Sequence, residues 1–396
     1  PYPRHEVGRR VTPRLSRLGN GFTIASLAMP GVETAALSLG VDAGSRHERP
    51  DENGLAHLFE HMVFKGTMTR SARRIAEEIE DVGGTLNAWT SRDATMFHAR
   101  VLAGDLPLAL DLIADLVTSA RFDPSDLEIE RQVVRSEIGE AADTPDDAVF
   151  DHLQDAAFPG QALGRPILGS EQSLGRLGRD LLAGWRQLYY APGNLVLAAA
   201  GRVDHEALVA LAGERFGARP AAEAPGPAAA RWVGGIRSDQ RSVEQVHVAL
   251  GHEAPSTLAP DHFAAQLFVT ALGGGMSSRL FQELREDRGL AYSVSASHGS
   301  FDDTGVMSIY LAARPADAAA ALDLARTVAA ATASGLEPAE LERARAQLKA
   351  GLLIGLEGCA AQADWLARSW ISHGRLLPPD EVVALIEAVD LDAARA

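Results

Sequence analysis

The chain has 396 residues, 46% of them hydrophobic, and a formal net charge of −16 at pH 7. This length is too great for one ordinary core and predicts two domains of about 150 to 200 residues each. The acidic balance opposes a polyphosphate partner and no apolar run approaches the ~20 residues of a membrane-spanning helix, so we expect neither nucleic acid nor a membrane as a partner.

The first twenty residues, PYPRHEVGRRVTPRLSRLGN, are rich in arginine and lack the apolar core of a signal peptide. We predict that they form a polar lead-in to the first strand, and the remnant of a removed targeting segment is the alternative. The compartment stays open, with the cytoplasm favoured over the periplasm or an organellar matrix.

The stretch GLAHLFEHMVFKGT, residues 54–67, carries the first chemical signal. Asp51 or Asn53 is predicted to cap a helix over residues 55–64 that stops at Gly66. An ordinary buried helix is one interpretation of this stretch, and a metal site is the other.

Two histidines four positions apart favour the metal site. Residues i and i+4 lie on one face of a helix, so His57 and His61 can direct their ring nitrogens at one cation. Glu60 lies on the neighbouring edge of that face, where a carboxylate can deprotonate a metal-bound water without being a ligand. Cys359 is the only cysteine, so the remaining ligand must be a histidine or a carboxylate.

A second predicted helix, which starts at Asp123 and Pro124, contains two glutamates in its apolar stripe. The stripe consists of Leu127, Glu130, Val133, Val134, Glu137, Ile138 and Ala141. A buried carboxylate without a partner is costly, so a positive group should meet Glu130 and Glu137. Salt bridges to buried arginines are one interpretation. In the other, Glu137 completes a zinc site of two histidines and one glutamate, water holds the fourth position, and Glu130 orients a ligand or the water.

The segment GARPAAEAPGPAAARWVGG, residues 217–235, has the Pro, Gly and Ala content of an interdomain linker. We therefore predict an N-terminal zinc-binding domain over residues 1–216 and a homologous C-terminal domain over residues 236–396. The two halves repeat at an offset of about 210 residues. This repeat indicates a duplicated α+β domain, each copy a mainly antiparallel sheet packed with helices.

Three pairs of segments carry the repeat, one pair of strands and two pairs of helices. They are AALSLGVDAGS with VHVALGHEAPS, VLAGDLPLALDLIADLV with YLAARPADAAAALDLARTV, and FDPSDLEIERQVVRSEI with LEPAELERARAQLKAGL. The metal motif does not repeat, because AAQLFVTALGGG fills its slot in the second half and Gly351 falls opposite Glu137. Only the first half is expected to bind metal.

The arrangement H-x-x-E-H in HLFEH, followed 76 residues later by Glu137 inside ERQVVRSEI, resembles the pitrilysin (insulinase-like) metallopeptidase family of inverzincins. The branch it resembles contains small bacterial peptidases and the catalytic subunit of mitochondrial processing peptidase. The resemblance covers nearly the whole chain. It implies one Zn²⁺ per chain held by His57, His61 and Glu137, with Glu60 as general base and Glu130 as an auxiliary glutamate.

Two further stretches agree with this family. GGTLNAWTSRDATMF is similar to the family strand in which Asn87 and Ala88 would lie beside a substrate peptide that adds as a strand, although Asp93 stands where the family more often has Glu. SSRLFQELREDRGLAYSV is similar to the segment whose Arg285 and Tyr292 would bind substrate near the scissile bond and stabilise its oxyanion. An ordinary hairpin, and a surface arginine beside a half-buried tyrosine, are the alternatives.

The resemblance implies a zinc-dependent endopeptidase that acts on peptides or unfolded segments as a homodimer, or as a heterodimer with a paralogous subunit. A non-catalytic assembly subunit of the same fold, like the core proteins of the respiratory complex, is the main alternative. A peptide-binding protein that keeps metal only for stability is another. The sequence ends in the helical segment LDLDAARA, whereas family members continue to a last strand, so we expect the natural chain to extend beyond residue 396.

Overall fold

The computed structural model describes residues 12–395. The predicted polar lead-in therefore lies partly outside the described residues, which exclude residues 1–11. Within the rest of that stretch the prediction is wrong, because Arg14–Arg17 already forms the first strand and pairs antiparallel with residues 23–26. No helix in the described part of the chain has both the length and the hydropathy to cross a bilayer.

Residues 14–216 of the described chain build a mixed sheet and its covering helices. The strands are β1 (Arg14–Arg17), β2 (Thr23–Ala28), β3 (Thr34–Val41), β4 (Thr85–Thr90), β5 (Thr95–Leu102) and β6 (Leu195–Gly201). The helices are α1 (Leu55–Val63), α2 (Ala72–Glu80), α3 (Leu106–Ser119), α4 (Pro124–Asp143), α5 (Pro145–Ala157), α6 (Glu171–Leu174), α7 (Arg179–Tyr189) and α8 (His205–Phe216).

The strand order in this six-stranded sheet is β1-β2-β6-β3-β5-β4, and neighbours are antiparallel except for β2 and β6. The central strands β3 and β6 are buried along nearly their whole length, as expected for strands covered on both faces. The main core includes the side chains of α1, α3 and α8 on one face of the sheet, where Phe22 and Phe216 stack at 4.2 Å. β4 is an edge strand, so one side of its backbone pairs with no other strand of this sheet.

Residues 246–395 build a second, smaller sheet with the order β7-β9-β8, antiparallel throughout. The strands are β7 (Val246–Ala254), β8 (Ser293–Ser300) and β9 (Gly305–Ala313). The helices are α9 (His262–Gly273), α10 (Ala318–Gly335), α11 (Pro338–Gly355), α12 (Cys359–His373), α13 (Pro379–Ala388) and α14 (Leu391–Arg395), and residues Phe281–Glu286 form a π-helix.

The fold is α+β and consists of two homologous halves, as the repeat predicted. Residues 217–245 contain no helix or strand and run along α5, where the Val233 amide bonds the Ala157 carbonyl at 2.9 Å. The predicted linker, residues 217–235, lies inside this segment. The domain boundaries at residues 216 and 236 stay a prediction.

One helix from each half packs on the sheet of the other half. α5, from the first half, packs on β7, and α12, from the second half, packs on β3 and β6. The second contact is close at Gly40 of β3, where a Cβ would lie 2.7 Å from Cδ1 of Ile371 in α12. Each sheet is therefore covered in part by a helix from the other half.

The halves also meet at a buried arginine. Arg46 has a side chain only 1% exposed, and it bonds Asp93 in the β4–β5 turn at 2.9 Å and Asp303 in the β8–β9 turn at 2.8 Å. The side chain of Asp93 is thus bound to Arg46. This ion pair accounts for an acidic residue at this position.

Candidate active site

The helix that carries the histidines is anchored by a buried glutamate. Carboxylate oxygens of Glu48 accept the backbone amides of Gly54 and Ala56 at 2.9 and 2.8 Å. The prediction that Asp51 or Asn53 caps α1 is wrong, because Gly54 is the N-cap residue and the carboxyl oxygens of Glu48, in the preceding loop, accept hydrogen bonds from two amides at the start of the helix. Burial raises the pKa of the Glu48 carboxyl to about 7, although hydrogen bonds from the Asn53 side chain and from these two amides lower it.

The structure brings three predicted ligands together. Nε2 of His57 and Nε2 of His61 lie 3.7 and 3.6 Å from the same oxygen, Oε2 of Glu137. The ligand atoms of these residues all lie within 4.8 Å of one another. Tetrahedral zinc ligands at about 2.1 Å from the metal stand about 3.4 Å apart, so this donor set fits Zn²⁺ with small adjustments.

His57 is held in the form that binds metal. Burial, and secondarily the neighbouring His61, lowers its pKa to about 4, so the ring is neutral at pH 7. Its Nδ1 is buried and has no hydrogen-bond partner among residues 12–395. The side chains of His57, His61 and Glu137 are 14%, 19% and 35% exposed, so the cluster is open to water on one side.

Glu130 meets the positive partner that its burial demands. Its side chain is 3% exposed, with Oε2 at 3.1 Å from Nδ1 of His61 and Oε1 at 2.7 Å from Nζ of Lys65. The partner is a lysine and a histidine, so the interpretation as salt bridges to buried arginines is wrong for Glu130. A carboxylate on Nδ1 makes this nitrogen the donor and leaves Nε2 free to face Glu137.

The apolar stripe of α4 is narrower than the periodicity predicted. Leu127, Glu130 and Val134 are buried, and Glu137 and Ile138 are half-buried. Val133 is 39% exposed, which contradicts its predicted burial. The histidines of α1 meet α4 at Glu130 and Glu137, and Val133 lies on the flank of α4 that faces solvent.

Glu60 is bound to the sheet edge. Its Oε2 accepts a hydrogen bond of 2.6 Å from the hydroxyl of Thr90, the last residue of β4. Burial raises the pKa of Glu60, the Thr90 bond and His61 lower it, and Glu137 raises it further. A carboxyl with a raised pKa is a stronger base, which suits a group that takes a proton from water and returns it to a leaving amine.

The predicted substrate-binding pair lies on the same strand. Asn87 is exposed and Ala88 is 8% exposed, and both belong to the edge strand β4. The Ala88 amide donates to Oδ1 of Asn87 at 2.8 Å. β4 and β5 form a hairpin, as the alternative interpretation held, and the hairpin's outer strand is also an unpaired edge.

The second predicted pair lies in the other half of the chain. The guanidinium carbon of Arg285 lies 4.8 and 5.3 Å from the ring centroids of Phe281 and Tyr292. Tyr292 is 71% exposed, so the alternative of a half-buried tyrosine is wrong. Across residues 12–395, no hydrogen bond or ion pair joins Arg285 or Tyr292 to the histidine and glutamate cluster.

Sequence reasoning missed three residues of this site. Lys65 follows His61 by four positions and so continues the row of His57 and His61, a signal that the sequence contained. Thr90 and Glu48 had no such signal, because their contacts depend on how a strand end and a loop meet α1.

A cavity of about 1620 Å³ lies elsewhere, against α5, β7 and α9. None of the histidines and glutamates of the cluster lines it. The chemistry of the donor atoms, and not the size of a cavity, therefore locates the candidate site.

Comparison with known families gives the chain its class. Residues 23–171 match the family model described as insulinase, peptidase family M16, and residues 176–348 match the M16 inactive domain. An uncharacterized zinc protease of Mycobacterium tuberculosis is 39% identical over 98% of this chain and 90% of the relative. An uncharacterized zinc protease of Bacillus subtilis is 35% identical over 94% and 91%.

Solved structures share the fold. A protease from Helicobacter pylori superposes with a TM-score of 0.89 at 22% identity, covering 97% of this chain and 95% of the other. An M16 inactive domain from Pseudomonas fluorescens gives 0.87 at 20% identity, with 97% and 93% covered. The chain belongs to peptidase family M16, the insulinase-like family, which confirms the resemblance drawn from its motifs.

Proposed function

We propose that this chain is a zinc-dependent endopeptidase that hydrolyses peptides or unfolded protein segments. One observation carries the proposal: two imidazole nitrogens meet one carboxylate oxygen at 3.6 and 3.7 Å, beside a glutamate that is not part of the ligand set. Relatives named zinc proteases support the same class of activity.

In this proposal His57, His61 and Glu137 hold one Zn²⁺. The bound metal would supply Lewis-acid polarisation and a more acidic water. Glu60, with its raised pKa and its bond to Thr90, would take the proton from that water and return it to the leaving amine. The exposure of the cluster on one side leaves room for the water and the substrate.

The substrate would bind as an added strand along β4. The exposed edge offers main-chain groups that read any extended peptide, and Thr90 connects the end of this edge to Glu60. The Asn87 side chain would have to release the Ala88 amide, which it now binds, when a peptide pairs there.

Arg285 and Tyr292 would hold the peptide carbonyl near the scissile bond. The stacked guanidinium and the exposed phenol both offer donors that can stabilise an oxyanion. We propose further that the working species is a dimer, either a homodimer or a heterodimer with a paralogous subunit. Equilibrium sedimentation measures this state directly.

The test compares the wild type with the Glu60→Gln variant. Zinc content per chain is measured by elemental analysis, and turnover is measured with a quenched peptide library. We expect about one zinc per chain in both proteins, because Glu60 is not a ligand, and hydrolysis by the wild type alone.

Three other outcomes would contradict this proposal or part of it. Cleavage by Glu60→Gln at the wild-type rate would remove Glu60 from its role. Zinc without hydrolysis in either protein would indicate that a partner subunit is missing from the assay. No zinc in either protein would overturn the site and favour the non-catalytic assembly subunit.

A further inference from the structure

Lys65 stands out in a chain that uses arginine almost everywhere. The sequence contains 37 basic residues, and only Lys65 and Lys349 are lysines. Lys65 follows the last turn of α1, where its amide bonds the Met62 carbonyl at 3.2 Å, and its ammonium reaches the buried Glu130 of α4. Among residues 12–395, Lys65 is the lysine or arginine that pairs with Glu130 at the candidate site.

The carboxylate of Glu130 makes a hydrogen bond at Oε2, whereas its buried Oε1 has no hydrogen-bond partner among residues 12–395 and makes an ion pair with Lys65. Oε2 accepts from Nδ1 of His61 at 3.1 Å, and Oε1 lies 2.7 Å from the Lys65 ammonium. The Glu130 side chain is only 3% exposed, so water is a poor substitute for either partner. Removal of the ammonium would leave Oε1 buried without a charged partner.

We infer that Lys65 is a positioning residue that holds the Glu130 carboxylate on Nδ1 of His61 and so directs Nε2 of His61 at the metal position. This inference rests on the zinc site proposed above. Across residues 12–395, no hydrogen bond or ion pair joins Lys65 to His57, His61 or Glu137, so Lys65 would act through Glu130.

Two effects of Lys65 on metal affinity oppose each other. Its positive charge repels a cation, but the Glu130 carboxylate and the imidazole of His61 separate it from Nε2, and the Lys65 side chain is 37% exposed, so solvent and salt screen the repulsion. Loss of an outer partner that orients a metal-binding histidine typically costs about 10- to 100-fold in metal affinity. The orienting effect is the larger, so loss of Lys65 should weaken zinc binding.

The experiment is a double-mutant cycle on zinc affinity, measured by competition with a chelator and without any turnover. The proteins are the wild type, K65M, E130Q and K65M/E130Q. We expect K65M and E130Q each to weaken zinc binding about 10-fold, and the double variant to bind no more weakly than E130Q alone, since Lys65 acts through Glu130.

Two further variants separate charge from packing. K349M is the matched control, because Lys349 pairs with Glu387 at 2.7 Å with a side chain 32% exposed, far along the chain from the site, and it should bind zinc like the wild type. K65R keeps the charge and should recover part of the affinity that K65M loses.

The inference is overturned if K65M binds zinc within about threefold of K349M. It is also overturned if K65M weakens binding equally in the E130Q background, or if K65R binds no better than K65M. A wild type that binds no zinc overturns the proposed function together with this inference, whereas normal zinc binding by K65M overturns the inference alone. The melting temperature of each variant, measured without metal, identifies any loss that comes from unfolding.

Discussion

The two halves build the same helix pair with different side chains. α1 packs on α4 in the first half and α9 packs on α11 in the second, and both α4 and α11 begin with proline. The segment HLFEH of α1 corresponds to QLFVT of α9, so Gln266, Val269 and Thr270 stand in the places of His57, Glu60 and His61. Counted from the prolines, Ala344 and Gly351 stand in the places of Glu130 and Glu137.

This difference separates the needs of the fold from the needs of the site. The second half forms its helix pair with small or uncharged residues at all five positions, so packing does not require the polar set. In the first half, the burial of Glu130 has a desolvation cost that only its partners offset. A buried polar set that the fold does not need indicates chemistry.

The first prediction erases the difference. The double variant H57Q/H61T gives α1 the residues of α9, and we expect it to bind no zinc and to lose peptide hydrolysis completely, because two of three ligands are gone. The folded state should persist, since the same residue types support α9. Elemental analysis, peptide turnover and the far-UV spectrum check these outcomes. Zinc retained at one per chain would contradict the ligand assignment.

The second prediction concerns the junction between the halves. Arg46→Met leaves Asp93 and Asp303 without their buried partner, and we expect a loss of about 3–5 kcal/mol in the free energy of unfolding, measured in urea. Arg14→Met is the control, because the Arg14–Glu206 pair is exposed and should contribute under about 1 kcal/mol. Equal stability of the two variants would show that Arg46 does not couple the halves.

The third prediction concerns the last residue of β4, Thr90, and the equivalent last residue of β8, Ser300. Thr90→Val removes the donor to Glu60, and a hydrogen bond to a charged group contributes about 1.5–3 kcal/mol, so we expect kcat to fall at least about 10-fold with KM unchanged. By hairpin register the second half has Ser300 at this place, and Thr90→Ser should keep the activity because it keeps the hydroxyl. A parallel loss in the serine variant would point to packing of the methyl group.

The fourth prediction compares acid sensitivity outside the site. Burial, with the adjacent Arg46 charge second, lowers the pKa of His47 from 6.5 to about 4, and burial, with His298 second, lowers the pKa of His262 to about 4. Between pH 6.5 and pH 4 these histidines bind protons in the unfolded chain but not in the folded chain. The contribution of the two neutral histidines to stability is therefore complete above pH 6.5 and is lost as the pH falls toward 4.

Substitution of either histidine should reduce that loss. We expect His47→Gln and His262→Gln each to lower the wild-type stability change between pH 7 and 5 by on the order of 1–2 kcal/mol. Urea titrations at the two pH values measure it. If only one variant changes the slope, the halves differ in acid sensitivity.

Local periodicity was sufficient for most of the site. The spacing of His57 and His61 and the position of Glu137 in an apolar stripe depend on helix geometry alone, so they could be predicted and are brought together in the structure. The predicted stripe is wrong at Val133, because tertiary packing and not periodicity decides which flank of a helix its neighbours cover. Their roles as ligands stay a prediction until zinc is measured.

The sequence shows the repeat between the halves, but it aligns β3 with β7 out of register. The sequence aligned β3 with β7 at an offset of 211 residues, whereas the strand register, traced through the equivalent hairpins, pairs Val41 with Ala254. The displacement is two residues. An even displacement keeps every side chain on the same face of the sheet, so the pattern of apolar residues could not reveal the error.

The sequence by itself determined the duplicated α+β fold, the helices that carry the candidate ligands and the absence of the motif from the second half, because these depend on spacing within one segment. Tertiary structure decided what Glu48, Lys65, Thr90 and Arg46 contact, and which half each of α5 and α12 covers. The contacts of Lys65, Thr90 and Arg46 join segments at least 30 residues apart, and the contact of Glu48 joins a loop to the helix that follows it. Periodicity within one segment carries no information about its partner, so only the folded chain supplies it.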